Sequence, residues 1–271
     1  MRFDTEKKVR NYVILSYLVF WLMVLGICGT ASMVFHCSAT VMRVLSNLCA
    51  WSPTIVLLAG FKYFCPGMTV GSFYRRAFGG KISISGLCIA AILTLSATLV
   101  SVSILSFIQG KAFDLYWDAG RYPIWLSFLF SLTSGPTGEE SGWRGYLRPF
   151  LNRKYPFALA SVIQGVIWAC WHTVLWFVDS DFTGIQMAPY IISNILVMTG
   201  LCFIMNYFME RHDNLLYGIV IHFCFNFLYC FLKVDIWFYV VLSVIYLLIA
   251  GVICLLEANG DGSYDKIKRL S

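Results

Sequence analysis

Long apolar runs alternate with short polar connections along the whole chain. A membrane-spanning helix needs about 20 mostly apolar residues, and eight runs approach that length. They lie at about 12–35, 45–64, 82–108, 122 onward, 156–178, 185–208, 215–232 and 236–256. Pro53 weakens the second run. The fourth meets Thr133-Ser134-Gly135-Pro136-Thr137-Gly138, a small-residue stretch that predicts a kink. The connections leave no room for a soluble domain, and no internal repeat or low-complexity segment is visible. The pattern predicts an all-α, polytopic membrane helix bundle with about eight transmembrane helices, one integral membrane domain over 1–271. The polar tail from Asn259 to Ser271 is expected to be loose.

Composition turns this pattern into an exclusion. Of the 271 residues, 59% are hydrophobic and 13% charged, against about 25% charged in an ordinary soluble domain. Mean hydropathy is +0.74. A cytosolic enzyme, a nucleic-acid binder and a disordered protein are excluded, and membrane lipids are the expected surroundings. The formal net charge is +6. Its distribution matters more than its sum, because Lys and Arg set topology. Arg2, Lys7, Lys8 and Arg10 precede the first run. Lys62, Arg75, Arg76 and Lys81 follow the second, and Arg144, Arg148, Arg153 and Lys154 follow the fourth. Arg211 follows the sixth, and Lys266, Lys268 and Arg269 lie in the tail. Only Arg43, Lys111, Arg121 and Lys233 fall on the other side. The positive-inside rule then places both termini in the cytoplasm. The basic start with Gly29-Thr30-Ala31-Ser32 behind it is similar to a signal peptide. Its apolar run exceeds the roughly 7–15 residues of a signal core, so a retained first helix is expected. None of the ten cysteines forms a Cys-x-x-Cys pair, and they read as buried thiols acting as small hydrophobes.

Ionisable residues inside membrane segments are costly and usually functional. Here they are few. The fourth run carries Glu139, Glu140 and Arg144, the fifth His172 and the seventh His222, while His36 and His212 sit at span ends. Glu140 and Arg144 are i,i+4 neighbours that can pair. Glu139 points about 100° away, with no basic residue one turn on. One carboxylate is thus neutralised and the other left available as a general base. Trp168 lies one turn before His172 and can pack on its ring. His222 and Asn226 share a helix face and need a polar cavity. The set suits water activation: a Glu base, a His that orients the water or binds a metal, and a His/Asn pair for an oxyanion. It equally suits a zinc site of Glu139, His172 and His222. The estimated depths of these groups in the membrane spread over roughly 10 Å, a gap that helix tilt and the kink near Pro136 would have to close. Other intramembrane chemistries fit less well. His-Glu-x-x-His is absent, Leu132-Thr133-Ser134-Gly135 does not meet Gly-x-Ser-Gly, and no aspartate dyad lies within a span.

Together the three segments resemble the CPBP family of intramembrane proteases, also called the Abi or type II CAAX prenyl endopeptidase family. The family pattern is Glu-Glu-x-x-x-Arg, Phe-x-x-x-His and His-x-x-x-Asn on separate spans. This chain has Glu139-Glu140-x-x-x-Arg144, Trp168-x-x-x-His172 and His222-x-x-x-Asn226, departing only in Trp168 for Phe. The resemblance covers about residues 133–227, within a catalytic core of about 122–233. It implies proteolysis within or beside the membrane, with Glu139 activating water, His172 assisting, and His222 and Asn226 holding the oxyanion. Glu140 with Arg144 would be the structural pair. Zinc dependence and a metal-free glutamate mechanism both stay open. The implied substrate is a membrane-associated peptide or protein, prenylated CAAX-type or bacteriocin-related, and the short loops look prokaryotic. The competing reading is a non-enzymatic immunity or peptide-binding protein using the same polar cavity. A transporter is disfavoured, since paired repeats and broken helices in both halves are missing.

Overall fold

The computed structural model describes residues 2–118, 122–178, 180 and 182–259. The expected loose tail therefore lies almost wholly outside the described residues. Helices α1 (Arg2–Met23) and α2 (Gly29–Met33) join through a π-turn, Val24–Cys28. Next come α3 (Ala39–Cys49), α4 (Ser52–Ala59), α5 (Phe61–Phe64), α6 (Val70–Ala77) and α7 (Ile84–Gln109). The second half holds α8 (Ile124–Thr133), α9 (Pro136–Glu140), α10 (Arg148–Lys154), α11 (Phe157–Trp171) and α12 (Thr173–Val178). It closes with α13 (Met187–His212), α14 (Leu216–Tyr229) and α15 (Ile236–Asn259). No strand occurs among the described residues; Trp117 and Leu232 form an isolated bridge.

Among the described residues, five helical stretches are long and apolar enough to cross a membrane: Asp4–Met33, Ala39–Ala59, Ile84–Gln109, Gly184–His212 and Ile236–Asn259. Phe157–Trp171 and Leu216–Tyr229 are shorter apolar helices. Large apolar side chains face outward, among them Leu22, Phe107, Ile124 and Leu255, as lipid contact requires and water would not tolerate. The chain is a multi-pass integral membrane protein built as a helical bundle. Three of the expected runs depart from simple helices. The second begins at Ala39 rather than 45, where the Ser38 hydroxyl accepts from the Val41 amide and so starts the helix early. The fourth is broken into α8, α9 and α10 around a π-helical stretch. The fifth ends its first helix at Trp171 and turns at His172.

The core lies where α13 packs between α11 and α15. Glycines allow this: a Cβ on Gly165 would fall on Thr199, and one on Gly200 would fall on Tyr246. On the other side α14 packs against α7. The buried stripe of α7 includes Gly86, Ala90, Thr94, Ala97, Thr98 and Ser101, small residues that let membrane helices approach closely. Thr94 and Ser101 donate to the carbonyls one turn back, at 2.9 and 2.7 Å. Helix α1 covers the end of α11. The Trp171 indole donates to Ser16 O at 3.1 Å, Trp21 donates to Trp171 O at 3.0 Å, and Tyr17 donates to Ile167 O.

Candidate active site

The break in the fourth run builds the site. Pro136 has no amide hydrogen to continue the helix of α8, so carbonyls at the end of α8 lose their partners. Buried in a membrane protein, each must find another donor. Trp51 donates to Thr133 O at 3.0 Å and Thr137 Oγ1 to Leu132 O at 3.0 Å, while Phe130 O keeps the Ser134 amide at 2.8 Å and also accepts from Asn47 at 3.4 Å. The chain restarts as α9 and runs into the π-helix Ser141–Leu147. Glu139, Glu140 and Arg144 are carried on this restart and are all buried.

Glu140 and Arg144 pair as their spacing predicts, with Nε to Oε2 at 3.2 Å and Nη1 to Oε1 at 3.3 Å. Arg144 also donates to Cys202 Sγ at 3.2 Å and lies over the Trp168 ring at 4.0 Å. Cys202 is therefore more than a small hydrophobe. All ten cysteines are free thiols, and they are not uniformly buried: Cys88 is exposed. Glu140 has a second partner that spacing could not reveal, because His222 Nδ1 donates to its Oε1 at 2.7 Å. Glu139 is not without a partner either. The Trp168 indole donates to its Oε2 at 2.6 Å. The two adjacent carboxylates are thus held differently, Glu140 by a guanidinium and an imidazole, Glu139 by a neutral N–H.

His172 ends α11, and its Nδ1 donates to Trp168 O at 2.9 Å, which leaves Nε2 as the other ring position. Its ring meets Trp171 edge-on at 4.7 Å and Trp168 at 5.9 Å. His222 meets the same Trp168 ring at 5.0 Å. Asn226 donates to Ser134 Oγ at 3.2 Å, so it and His222 share a face of α14 but meet different partners. Gly135 lies against both catalytic candidates. A Cβ there would be 2.6 Å from His222 Nε2 and 2.9 Å from Glu139 Oε1. Groups on α9, α11 and α14 thus meet around one indole ring. Trp168 is the common neighbour of Glu139, Arg144, His172 and His222. Sequence reasoning read it as packing for His172 and missed its N–H. The departure from Phe was the available signal. Ser134 and Gly135 were read only as part of a kink.

The proposed zinc set of Glu139, His172 and His222 is not assembled as a ligand set. No group of three His, Cys, Asp or Glu among the described residues is arranged to hold a metal ion. Trp168 holds one oxygen of Glu139, and the two Nδ1 atoms donate to Trp168 O and Glu140, which leaves Nε2 as the remaining position of each ring.

Comparison with known proteins bears on this same segment. The family model described as Type II CAAX prenyl endopeptidase Rce1-like matches residues 121–228, a range that includes all three motifs. Among curated proteins, CAAX prenyl protease 2 of Methanococcus maripaludis is 26% identical over 168 residues, covering 57% of this chain and 59% of that protein. The chain thus spans less than two thirds of the length of the relative it matches. Through this core, the chain is similar to the type II CAAX prenyl endopeptidases, the CPBP family that its motifs resemble.

Proposed function

We propose that the protein is an intramembrane endopeptidase that hydrolyses a peptide bond of a membrane-associated substrate. The observation that carries this reading is the contrast between the two buried glutamates. Glu140 is occupied by Arg144 and His222. Glu139 is held by one indole N–H, with its other oxygen beside Gly135. A carboxylate fixed in place without a cation suits a general base.

In the proposed reaction Glu139 takes a proton from water as the water oxygen bonds to the scissile carbonyl carbon. His172 orients that water through Nε2. The carbonyl oxygen gains negative charge, stabilised by Asn226 and by Nε2 of His222 when it is protonated, the charge on the ring being balanced by Glu140. The C–N bond then breaks and Glu139 returns the proton to the leaving amine. No step runs through a metal. The substrate class follows the family and the relative's printed name: a CAAX-type tail at the membrane surface.

The test is cleavage of a prenylated peptide by the full chain in lipid nanodiscs. The wild-type protein is expected to release the C-terminal residues. Glu139→Gln, nearly isosteric, is expected to lower kcat by about 10²–10⁴-fold, the usual contribution of a general base. Cleavage by Glu139→Gln at the wild-type rate would remove the catalytic assignment and leave the non-enzymatic binding reading.

A further inference from the structure

A cavity of about 400 Å³ opens at the bundle end that carries the basic connections. Its walls come from the end of α6, from α10, and from the turn between α13 and α14. Its polar groups are Arg76, Arg144, Arg148, Asn152, Arg153, Glu210 and Asp213. Four arginines thus face two carboxylates. Arg144 is committed to Glu140, and Glu210 accepts from Asn152 at 2.9 Å. Arg148 is the unusual member. It is only 6% exposed, and its Nε donates to Asn206 Oδ1 at 3.0 Å, while Asn206 donates onward to Ser161 Oγ at 2.9 Å. That chain of bonds fixes the guanidinium in the cavity wall. Arg76 and Arg153 are exposed at the rim, and Arg153 Nε donates to Pro149 O.

A buried, pre-aimed guanidinium with two further arginines at the mouth is chemistry for a phosphate, since arginine presents a planar fork that matches its oxygens. The cavity sits where apolar helices give way to polar ends, which is headgroup depth. Basic pockets between membrane helices at that depth recognise lipid headgroups. Arg144 separates this cavity from Glu140 and the candidate active site.

We infer that this cavity binds the headgroup phosphate of an anionic membrane lipid. The inference does not depend on the protease reading, because its readout is lipid binding rather than cleavage. The experiment is native mass spectrometry and thermal unfolding of the purified full chain with phosphatidylglycerol, phosphatidylcholine or inorganic phosphate added. Phosphatidylglycerol is expected to stay bound and to raise Tm, and phosphatidylcholine is not. The double variant Arg76→Gln/Arg153→Gln changes only exposed side chains. It is expected to weaken phosphatidylglycerol retention about fivefold per arginine removed, matching about 1 kcal/mol each near a membrane surface. Arg148→Gln should weaken it further. Should Arg148→Gln fail to fold, the rim variant still decides the matter. Equal stabilisation by inorganic phosphate would overturn the lipid as the source. Retention of phosphatidylglycerol unchanged in the rim variant, or no preference over phosphatidylcholine, would overturn the site.

Discussion

Helix α7 and the run from Ile124 to Lys154 are stretches of similar length, and they solve opposite problems. Before Gln109 at its end, the polar side chains of α7 are mostly Ser and Thr, and Thr94, Ser101 and Ser103 return their hydrogens to the carbonyl one turn back. The helix stays continuous over 26 residues. The 124–154 run gives up continuity. It releases the Thr133 carbonyl at the end of α8 to the Trp51 indole, restarts at Pro136, and widens into a π-helix. What it gains is placement: two carboxylates and a guanidinium arrive deep in the bundle beside α11 and α14. π-Helical segments of this kind are often found at functional sites. The contrast shows that polar atoms are tolerated in this membrane interior in two ways, by closing on their own helix or by joining a network that spans several.

The sharpest way to break that contrast is to remove a charge from the network. Arg144→Gln leaves Glu140 buried with only His222 as partner. A loss of about 3–5 kcal/mol in stability is expected, the usual cost of an uncompensated buried charge. Thermal unfolding of the purified protein would measure it. The double variant Glu140→Gln/Arg144→Gln should recover part of the loss, since it removes both charges. If the single and double variants unfold at the same temperature, the pair contributes nothing through its charges.

The backbone break gives the next effect in size. Gly135 has an extended φ of −178° that any residue can adopt, so its need is for space. A Cβ there would sit 2.5–2.6 Å from the His222 ring and 2.9 Å from Glu139 Oε1. Gly135→Ala is expected to cost about 1–3 kcal/mol through overpacking and to lower cleavage by displacing both groups. Gly251→Ala in α15 is the matched control. Nothing lies within 4 Å of a Cβ there, and stability should stay within about 0.5 kcal/mol. Equal behaviour of the two alanine variants would mean that the close approach at Gly135 is not used.

How much of this was written in the sequence depends on the range of each interaction. The Glu140–Arg144 pair was legible because one helical turn fixes it, and it survives even though the backbone there is π-helical. The kink at Gly135-Pro136 was legible from residue type. That the kink would bring α9 against α14 was not, since it depends on how helices far apart in sequence pack. The bond from His222 to Glu140 crosses 82 positions, and that from Trp168 to Glu139 crosses 29. Spacing rules do not reach that far. The five long spans followed from apolar length alone. The early start of the second at Ala39 followed from a serine cap that a window of hydropathy passes over. Arg148 was counted only as a topology charge, because nothing local marks its burial or its bond to Asn206.

Trp168 offers the smallest and most discriminating perturbation. The family pattern has Phe at this position, so Trp168→Phe keeps an aromatic face for Arg144 and for both histidine rings while deleting one N–H. A bond from that N–H to a charged carboxylate can contribute about 1.5–3 kcal/mol. Part of it should be regained as neighbouring groups or water take its place. The expected result is a fall of about tenfold in kcat, equal to about 1.4 kcal/mol of barrier, with KM unchanged and only a small fall in Tm. A role in packing alone would move Tm and leave kcat intact. An unchanged kcat would show that the family's phenylalanine and this tryptophan position the base equally well, and that the indole hydrogen bond is incidental to the chemistry. A selective loss of kcat would show that this chain has come to hold its catalytic carboxylate by a donor that a phenylalanine cannot supply.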